Sequence, residues 1–279
     1  MSRLITLRQR IKTAITIQKT THAMRLTSMS AHARLQRKKQ FLKTYKQTLE
    51  DLMQRLGLEE QLRQEKDVQR TTQKKLIIVV GSQKGLCGAF NSRLLHLVEH
   101  DYPGLKLPQQ SHLVCIGKKI FEYFEQRHII PRHSYSAFNA GNFVAIAHEL
   151  ERIIFAADGY ETITVYSNYP LTFFVQKSNS QTIARRSLAI TSGKDFKDPY
   201  SYEQPAAIFH AMLQQIYFKA CLEDILFNSL IAEQAARFIA MDTATRNAET
   251  ILTDMQRDYN KLRQASITRE LTDLAGGIL

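Results

Sequence analysis

The sequence predicts an α/β fold, in which two very long terminal helices pair as a coiled coil and a small α/β domain lies between them in the chain. Residues 1–56 and 206–275 contain neither Pro nor Gly, whereas all six Pro lie between 103 and 205. Pro breaks helices and an interior Gly costs about 1 kcal/mol, so both ends favour unbroken helix. Between about 75 and 200, β-rich apolar runs alternate with amphipathic stretches, as in βαβ units.

The first helix, residues 1–57, carries a coiled-coil seam and a one-sided charge. Residues 1–49 hold twelve Lys or Arg and no Asp or Glu, while the rest of the chain balances 26 basic residues against 26 acidic ones. A solvated basic face is the plain interpretation, and an acidic partner is the alternative. The seam follows three-and-four spacing through Leu4, Ile11, Ile15, Leu26, Met29 and Ala33, with Gln18 and His22 in the same stripe.

The middle segment is divided by its hydrophobic pattern into strands and helices. Gly57 with the polar run 59–74 forms the junction before it, and residues 198–205 form the junction after it. Strands are predicted at 75–81, 112–116, 161–168 and 171–177, the last continued by a run near 182–189, and helices at 89–100, 118–127 and 143–157.

The last helix, within residues 206–279, carries a second stripe rich in small residues, which allow close approach of a partner helix. Because the two stripes lie at opposite ends of one chain, we expect them to pair with each other, antiparallel if the middle domain lies at one end of the pair. Pairing with a second copy of the chain is the alternative. The stripe consists of Met241, Ala244, Ala248, Ile251, Met255, Tyr259, Leu262 and Ala265.

Catalytic and cofactor motifs are absent from the sequence. The loop after the first strand contains Gly81, Gly85 and Gly88, but it has neither the G-K-[ST] ending of a P-loop nor the G-x-G-x-x-G spacing of a dinucleotide site. A tight turn between strand and helix explains these glycines better. His128 and His133, which flank a predicted strand, have no evident partner. We therefore predict no catalytic residue, cofactor or metal.

Three scattered cysteines indicate a reducing compartment, and no segment is long and apolar enough for a membrane span. The basic first helix leaves nucleic acid binding as an alternative function. Against it, the basic residues are interleaved with the seam, and aromatic residues are missing from residues 1–40.

Three segments resemble the gamma subunit of F-type ATP synthases, in the right order and across the whole chain. The first is the N-terminal stretch from Ile11 through Ile17 to Met24, which includes Q-K-T (18–20) and H-A-M (22–24). The second is S-Q-K-G-L-C-G-A-F-N (82–91). The third is the tail, S-L-I-A-E-Q-A-A-R-F-I-A-M (229–241) through Y-N-K-L-R-Q-A-S-I-T-R-E-L (259–271).

The resemblance implies an antiparallel coiled-coil shaft (1–57 and 206–279) inside a hexamer of alternating alpha and beta subunits, with a Rossmann-like foot domain (75–200). It implies a rotor of the central stalk that transmits torque between the membrane c-ring and the catalytic hexamer, during ATP synthesis or hydrolysis coupled to proton or sodium transport. Such a subunit is not itself catalytic. Its implied partners are the alpha, beta and epsilon subunits and the c-ring, at the cytoplasmic side of a bacterial inner membrane.

The resemblance also implies contact residues. Met24, Arg237, Arg263, Gln264 and Thr268 match shaft positions that contact the hexamer, the last three through the acidic catch loop of a beta subunit. An Arg fork suits a carboxylate partner. Tyr200, Tyr202 and Glu203 match the foot segment near the c-ring and the epsilon subunit.

Four positions depart from the family pattern. Gln83 and Lys84 replace the usual Asp-Arg before Gly-Leu-Cys-Gly, Asp242 replaces a common Lys, and Arg25 replaces a frequent Glu. A divergent paralogue of the rotor is therefore a further alternative.

Overall fold

A computed structural model of the chain describes residues 2–56, 74–105, 111–155, 160, 162–184 and 206–276. The chain divides into two compact units, one of residues 1–30 and 237–279 and one of residues 31–236. The predicted junctions, Gly57 with 59–74 and 198–205, lie outside the described residues except for residue 74. The predicted division into a shaft (1–57 and 206–279) and a foot (75–200) stays a prediction.

The elements follow one another in the predicted α/β order. Two helices of 54 and 71 residues begin and end the chain. The elements are α1 (Ser2–Arg55), β1 (Lys75–Val80), α2 (Phe90–Asp101), a short 3-10 turn (Pro103–Leu105), β2 (Ser111–Ile116), α3 (Lys118–Glu125), β3 (His133–Tyr135), α4 (Phe143–Phe155), β4 (Thr162–Pro170), β5 (Gln176–Ala184) and α5 (Ala206–Gly276).

The second unit contains a five-stranded sheet in the order β3-β2-β1-β4-β5. The first four strands are parallel, and β5 returns antiparallel to β4. Five of the six residues of β1 are buried, as expected for a central strand covered on both faces. Its run of Ile and Val fits that environment because β-branched side chains pack well on a pleated surface.

Each face of the sheet has its own core. On one face Leu76, Ile78 and Val80 pack with α4 and with the Phe218–Ile231 stretch of α5. On the other face Ile77 and Val79 pack with α2 and α3. The alternation along β1 therefore supports a three-layer arrangement within this unit.

Two details differ from the predicted elements. Residues 171–177 were predicted to form a strand, but Leu171–Val175 make the β4–β5 turn, closed by the Leu171 amide donating to the Val175 carbonyl at 3.0 Å. Exposed apolar residues in this turn, such as Phe174, mimic a strand pattern. The sequence interpretation places a strand between His128 and His133, whereas β3 begins at His133, where pairing with Val114 of β2 forms it. The predicted run at 185–189 lies outside the described residues.

Within the described part of the chain, no helix is long and apolar enough to cross a membrane.

Acidification should destabilise the second unit through two histidines. His32 is buried, with its ring edge on Phe173 at 4.8 Å between centroids. Burial, and then the charge of Lys39, lowers the pKa of His32. Burial, followed by Arg132 and other cations, lowers the pKa of His112. The unfolded chain binds these protons more readily, so the stability is present above a pH of about 6.5 and is lost as the pH falls below it.

Thermal unfolding of the full chain between about pH 8 and pH 5.5 measures this loss. We expect Tm to fall over this range and His32→Gln to reduce the slope of Tm against pH. His148→Gln, at an exposed histidine of α4, is the matched control and should leave the slope unchanged. Equal slopes for wild type and His32→Gln would contradict the assignment to His32.

Candidate functional site

The first unit is built by antiparallel pairing of α1 with α5. Three cross-helix contacts define it, and each step of three or four residues forward along α1 matches a similar step backward along α5. This confirms the predicted pairing within one chain. The contacts are Gln18 Nε2 to Glu249 Oε1 at 3.2 Å, Thr245 Oγ1 to Thr21 Oγ1 at 2.9 Å, and Arg25 Nη1 to Asp242 Oδ1 at 2.7 Å.

The seam of α1 departs from the predicted stripe beyond residue 18. Leu26 and Met29 are 55% and 46% exposed, whereas Ser28 and His32 are 3% and 7% exposed. His22 and Ala33 are exposed as well. The buried and half-buried positions keep a strict seven-residue repeat through 4, 11, 18, 25 and 32, and through 7, 14, 21, 28 and 35.

Polar residues explain the error. The strict repeat passes through Thr21, Arg25, Ser28 and His32, and an apolar stripe one position away drew the prediction. Burial of these groups is possible because they are hydrogen-bonded. The Ser28 hydroxyl, for example, donates to the Met24 carbonyl at 2.9 Å.

The seam of α5 follows the prediction more closely. Six of its eight predicted members are buried or half-buried as expected: Met241, Ala244, Ala248, Met255, Tyr259 and Leu262. Two predicted members lie outside the seam, since Ile251 is 48% exposed and Ala265 is exposed. Leu252 and Thr245, 7% and 2% exposed, are buried instead.

The first unit presents apolar side chains to solvent. Ile5, Ile17 and Ile251 border a groove of about 460 Å³ between α1 and α5, together with Arg10 and other residues. Exposed apolar residues rimmed by polar ones are typical of a protein interaction surface. The large apolar residues exposed in this unit are Ile5, Ile17, Leu26, Met29, Ile251, Ile267 and Leu271.

The hexamer-contact residues implied by the resemblance lie in the first unit with different exposures. Arg263 and Gln264 are exposed, and Thr268 is exposed with its hydroxyl donating to the Gln264 carbonyl at 3.0 Å. Met24 is half-buried and Arg237 is 7% exposed. The first three are therefore positioned to contact a partner, whereas Arg237 is largely covered by its own chain.

The four of these residues that belong to α5 fall at two levels along that helix. Arg237 precedes Arg263 by 26 residues, which is about 39 Å along a helix at 1.5 Å per residue. The structure brings Arg263, Gln264 and Thr268 together within two turns and keeps them apart from Arg237. Tyr200, Tyr202 and Glu203 lie outside the described residues.

The glycine loop after β1 has close packing in place of a ligand cradle. A Cβ on Gly81 would lie 2.1 Å from Cγ1 of Ile120, and one on Gly117 would lie 2.6 Å from the Gly81 carbonyl oxygen. These glycines let the β1–α2 and β2–α3 turns approach each other. The sequence interpretation of Gly81 as a packing residue is therefore confirmed.

The crevice where such sheets bind ligands is filled by the chain itself. Strand order reverses between β1 and β4, and doubly wound sheets bind ligands outside the carboxyl ends of the strands at such a point. Here Cys87 and Phe90 pack against Ala232 and Ala236 of α5. The Asn168 amide, at the end of β4, donates to the Phe90 carbonyl at 3.0 Å.

The Cys and His side chains discussed next belong to strands and turns of the fold. Among the described residues, no group of three or more His, Cys, Asp or Glu is placed to hold a metal ion. Burial raises the pKa of Cys115 to about 12, so this thiol stays protonated and unreactive. His128 lies in a turn with φ of 59°, and His133 belongs to β3.

Comparison with known proteins identifies relatives along the whole chain. The ATP synthase family profile matches residues 3–279. An ATP synthase gamma chain from Chlorobium chlorochromatii is 28% identical, with 99% of this chain and 98% of that protein covered. One from Rickettsia typhi is 29% identical, with 99% of each covered.

Solved structures share the fold. A chain from the central stalk and c-ring structure of the Tetrahymena thermophila mitochondrial ATP synthase has a TM-score of 0.61 at 20% identity, covering 81% of this chain and 99% of that one. A chain from the Euglena gracilis mitochondrial enzyme has a TM-score of 0.55 at 14% identity, covering 92% and 94%. At these identities the likeness describes the architecture.

Proposed function

We propose a rotary function for this chain, which belongs to the gamma-subunit family of F-type ATP synthases: it is the central-stalk rotor that transmits torque between a membrane c-ring and a catalytic alpha/beta hexamer. The observation that carries the proposal is the antiparallel pairing of α1 with α5 in the first unit, with Arg263, Gln264 and Thr268 exposed on α5. The nucleic acid alternative is not favoured, because the relatives over the full chain are gamma chains.

A rotor must resist twisting, and uninterrupted helix supplies that stiffness. Helix α5 continues for 71 residues and α1 for 54. In the first unit the seam repeats every seven residues, so side chains of both helices interlock along their length. Torque applied to one helix therefore passes to the other through many contacts.

A rotor must also turn from one orientation to the next within the hexamer without being held tightly in any of them. Twelve cationic residues without an acid in residues 1–49 attract acidic loops of a surrounding hexamer. Exposed ion pairs contribute about 0.2–1 kcal/mol each, so no single orientation becomes a deep well. The exposed apolar residues of the first unit add contact area. Apolar contacts are non-directional, so they can form in many orientations of the rotor.

Catalysis in this proposal belongs to the beta subunits. The chain acts on them by presenting a face that differs around its circumference, which drives the three catalytic sites through different states in turn. The filled crevice at the β1–β4 switch point supports a non-catalytic role for the α/β sheet. No cofactor is assigned to this chain.

The remaining partners are the epsilon subunit and the c-ring. Tyr200, Tyr202 and Glu203 are proposed as their contacts on the basis of the sequence resemblance alone. The chain is then a peripheral component of a membrane complex. We place it on the cytoplasmic side of a bacterial inner membrane, since the gamma chains compared above include bacterial ones.

Co-expression with alpha and beta subunits from the same source tests this function. We expect a stable complex with three alpha, three beta and one copy of this chain, whose ATPase activity requires the chain. Alpha and beta subunits expressed without it provide the control. A chain that purifies apart from alpha and beta, with no effect on their activity, would overturn the proposal.

A further inference from the structure

Asp242 of α5 lies between two arginines. Its Oδ1 accepts from Arg25 Nη1 of α1 at 2.7 Å, and its Oδ2 pairs with Arg246 Nη2, one turn along its own helix, at 2.9 Å. The side chains of Arg25 and Asp242 are 26% and 20% exposed, while that of Arg246 is 76% exposed. The hydrogen bond from Arg25, and then the charge of Arg246, lower the pKa of Asp242, so the carboxylate stays ionised at neutral pH.

Two further polar contacts follow in order along the same seam. One turn away, the hydroxyl oxygen of Thr245, a residue that is 2% exposed, lies 2.9 Å from that of Thr21 and 2.7 Å from the Met241 carbonyl oxygen, and its single proton is shared between these two acceptors. Another turn on, Gln18 donates to Glu249. Polar contacts thus join α1 to α5 at three successive turns.

These contacts discriminate between registers in a way that an apolar heptad seam does not. An apolar seam repeats every seven residues, so a slip of seven residues preserves most of its packing. A slip in one direction would place Thr21 beside Phe238 and Arg25 beside Ala235, and a slip in the other direction would place Thr21 beside Leu252 and Arg25 beside the exposed Glu249. Both slips separate Arg25 from Asp242. The Thr21 and Thr245 hydroxyls would keep their own-helix acceptors, the Gln18 and Met241 carbonyls, so they discriminate little. The partly covered Asp242 carboxylate loses its Arg25 partner in both slips, and this loss makes the slipped registers unfavourable.

We propose that Asp242, held between Arg25 and Arg246, is the positioning residue that fixes the register of α1 against α5. Fixing this register sets which side chains of the two helices face outward at each level. The proposal builds on the rotor function, since register decides how the tail residues and the basic helix are presented to the hexamer. It makes Asp242 a determinant of coupling without a contact to any substrate.

The arrangement also explains two departures from the family pattern. The resemblance puts a frequent Glu at position 25 and a common Lys at position 242, whereas this chain has Arg25 and Asp242. In this chain the two positions are partners, with the cation on α1 and the carboxylate on α5, so the two departures exchange the signs of charge together. Arg246 fits the reversed polarity, because it would repel a Lys at position 242.

Charge reversal in the full-length chain provides the test. The variants are Arg25→Glu, Asp242→Lys, the two together, and the three together with Arg246→Glu. The register is measured by a cysteine pair, Thr21→Cys with Thr245→Cys, placed in every background. Oxidation followed by peptide mapping gives the yield of the 21–245 disulfide, separately from the native cysteines.

We expect each single reversal to reduce the disulfide yield by about threefold or more and to lower Tm, because like charges then face each other across the seam. The triple reversal should restore the yield and Tm to near the parent values, and the double reversal should restore them in part. Arg8→Glu, an equal charge change at an exposed position of α1, is the matched control and should change neither. Single reversals without effect, or a triple reversal no better than the singles, would overturn the proposal.

A second readout separates this proposal from the rotor function. In a complex with alpha and beta subunits and the membrane sector, the ratio of ATP-driven ion pumping to ATP hydrolysis should fall in the single reversals and recover in the triple reversal. A chain that never joins the complex but shows the expected disulfide yields would sink the rotor function alone. A functional complex in which the disulfide yield and the pumping ratio are the same in all charge variants would overturn the register proposal alone.

Discussion

Replacement of Arg263 and Gln264 by Ala should reduce ATP hydrolysis coupled to ion pumping by roughly tenfold while leaving the chain folded. Both side chains are exposed on α5, so their removal opens no cavity. In the proposed rotor they hydrogen-bond a beta subunit, and the loss of a charged hydrogen bond of about 1.5–3 kcal/mol corresponds to a tenfold or larger effect. Proton pumping and ATP hydrolysis by complexes carrying the double variant measure it.

The control lies two turns earlier on the same helix. Gln256→Ala with Arg257→Ala removes the same two residue types at exposed positions, and Arg257 there makes only a long ion pair with Asp254 at 3.8 Å. We expect this control to retain most of the coupled activity. Equal losses in the two double variants would show that position 263 carries no special contact, and unfolding of the first variant would show a structural role.

Replacement of Gly117 by Ala should lower the stability of the second unit by about 2–5 kcal/mol. Gly117 has φ of 96°, where an L side chain is strained, and its added Cβ would lie 2.6 Å from the Gly81 carbonyl oxygen and 2.8 Å from the Ser82 carbonyl oxygen. Backbone strain costs about 1–3 kcal/mol and overpacking adds a similar amount. For a unit of this size, Tm should fall by about 10 °C, measured by thermal unfolding.

Gly104→Ala separates the two causes. Gly104 has φ of 65°, yet a Cβ there would meet nothing within 4 Å. We therefore expect Gly104→Ala to lose about 1–2 kcal/mol of stability from the left-handed backbone and none from crowding. A Gly117→Ala variant no less stable than Gly104→Ala would contradict the close packing of the two turns, and with it the explanation of the glycine loop.

The sequence predicted the elements that hydrophobic pattern alone determines. The apolar run of β1 and the lack of Pro and Gly in the terminal stretches each indicate a strand or a helix from the local sequence alone, without reference to the rest of the chain. Strand β3 was predicted a few residues too early, between His128 and His133, because its three residues form a strand only by pairing with Val114, Cys115 and Ile116 of β2. The turn at Leu171 was mistaken for strand because its exposed apolar residues resemble a buried run.

The seam of α1 shows a second limit of prediction from sequence. Apolar periodicity identified Leu4, Ile11 and Ile15, and then moved to Leu26 and Met29 when the true seam became polar. Thr21, Arg25 and Ser28 are buried or half-buried because each finds a hydrogen-bond partner, and partners across two helices depend on a register that a single helix does not reveal. The Arg25–Asp242 pair was missed for the same reason.

The proposed contact residues rest on resemblance and not on physical pattern. Arg263, Gln264 and Thr268 are exposed residues of a helix, and their pattern in the sequence does not distinguish them from other exposed residues. A role for them can be assigned only with reference to a partner protein. Of the four positions that depart from the family, Arg25 and Asp242 now have a structural account. Nothing in the contacts of the described residues explains why Gln83 replaces Asp.

Single-molecule rotation tests the central claim most directly. The alpha/beta complex is immobilised, a bead is attached to a cysteine introduced in an exposed loop of the second unit, and ATP is supplied. The rotor function predicts unidirectional rotation of the bead with three pauses per turn, matching three beta subunits. A complex that hydrolyses ATP with this chain bound while the bead stays fixed would contradict it.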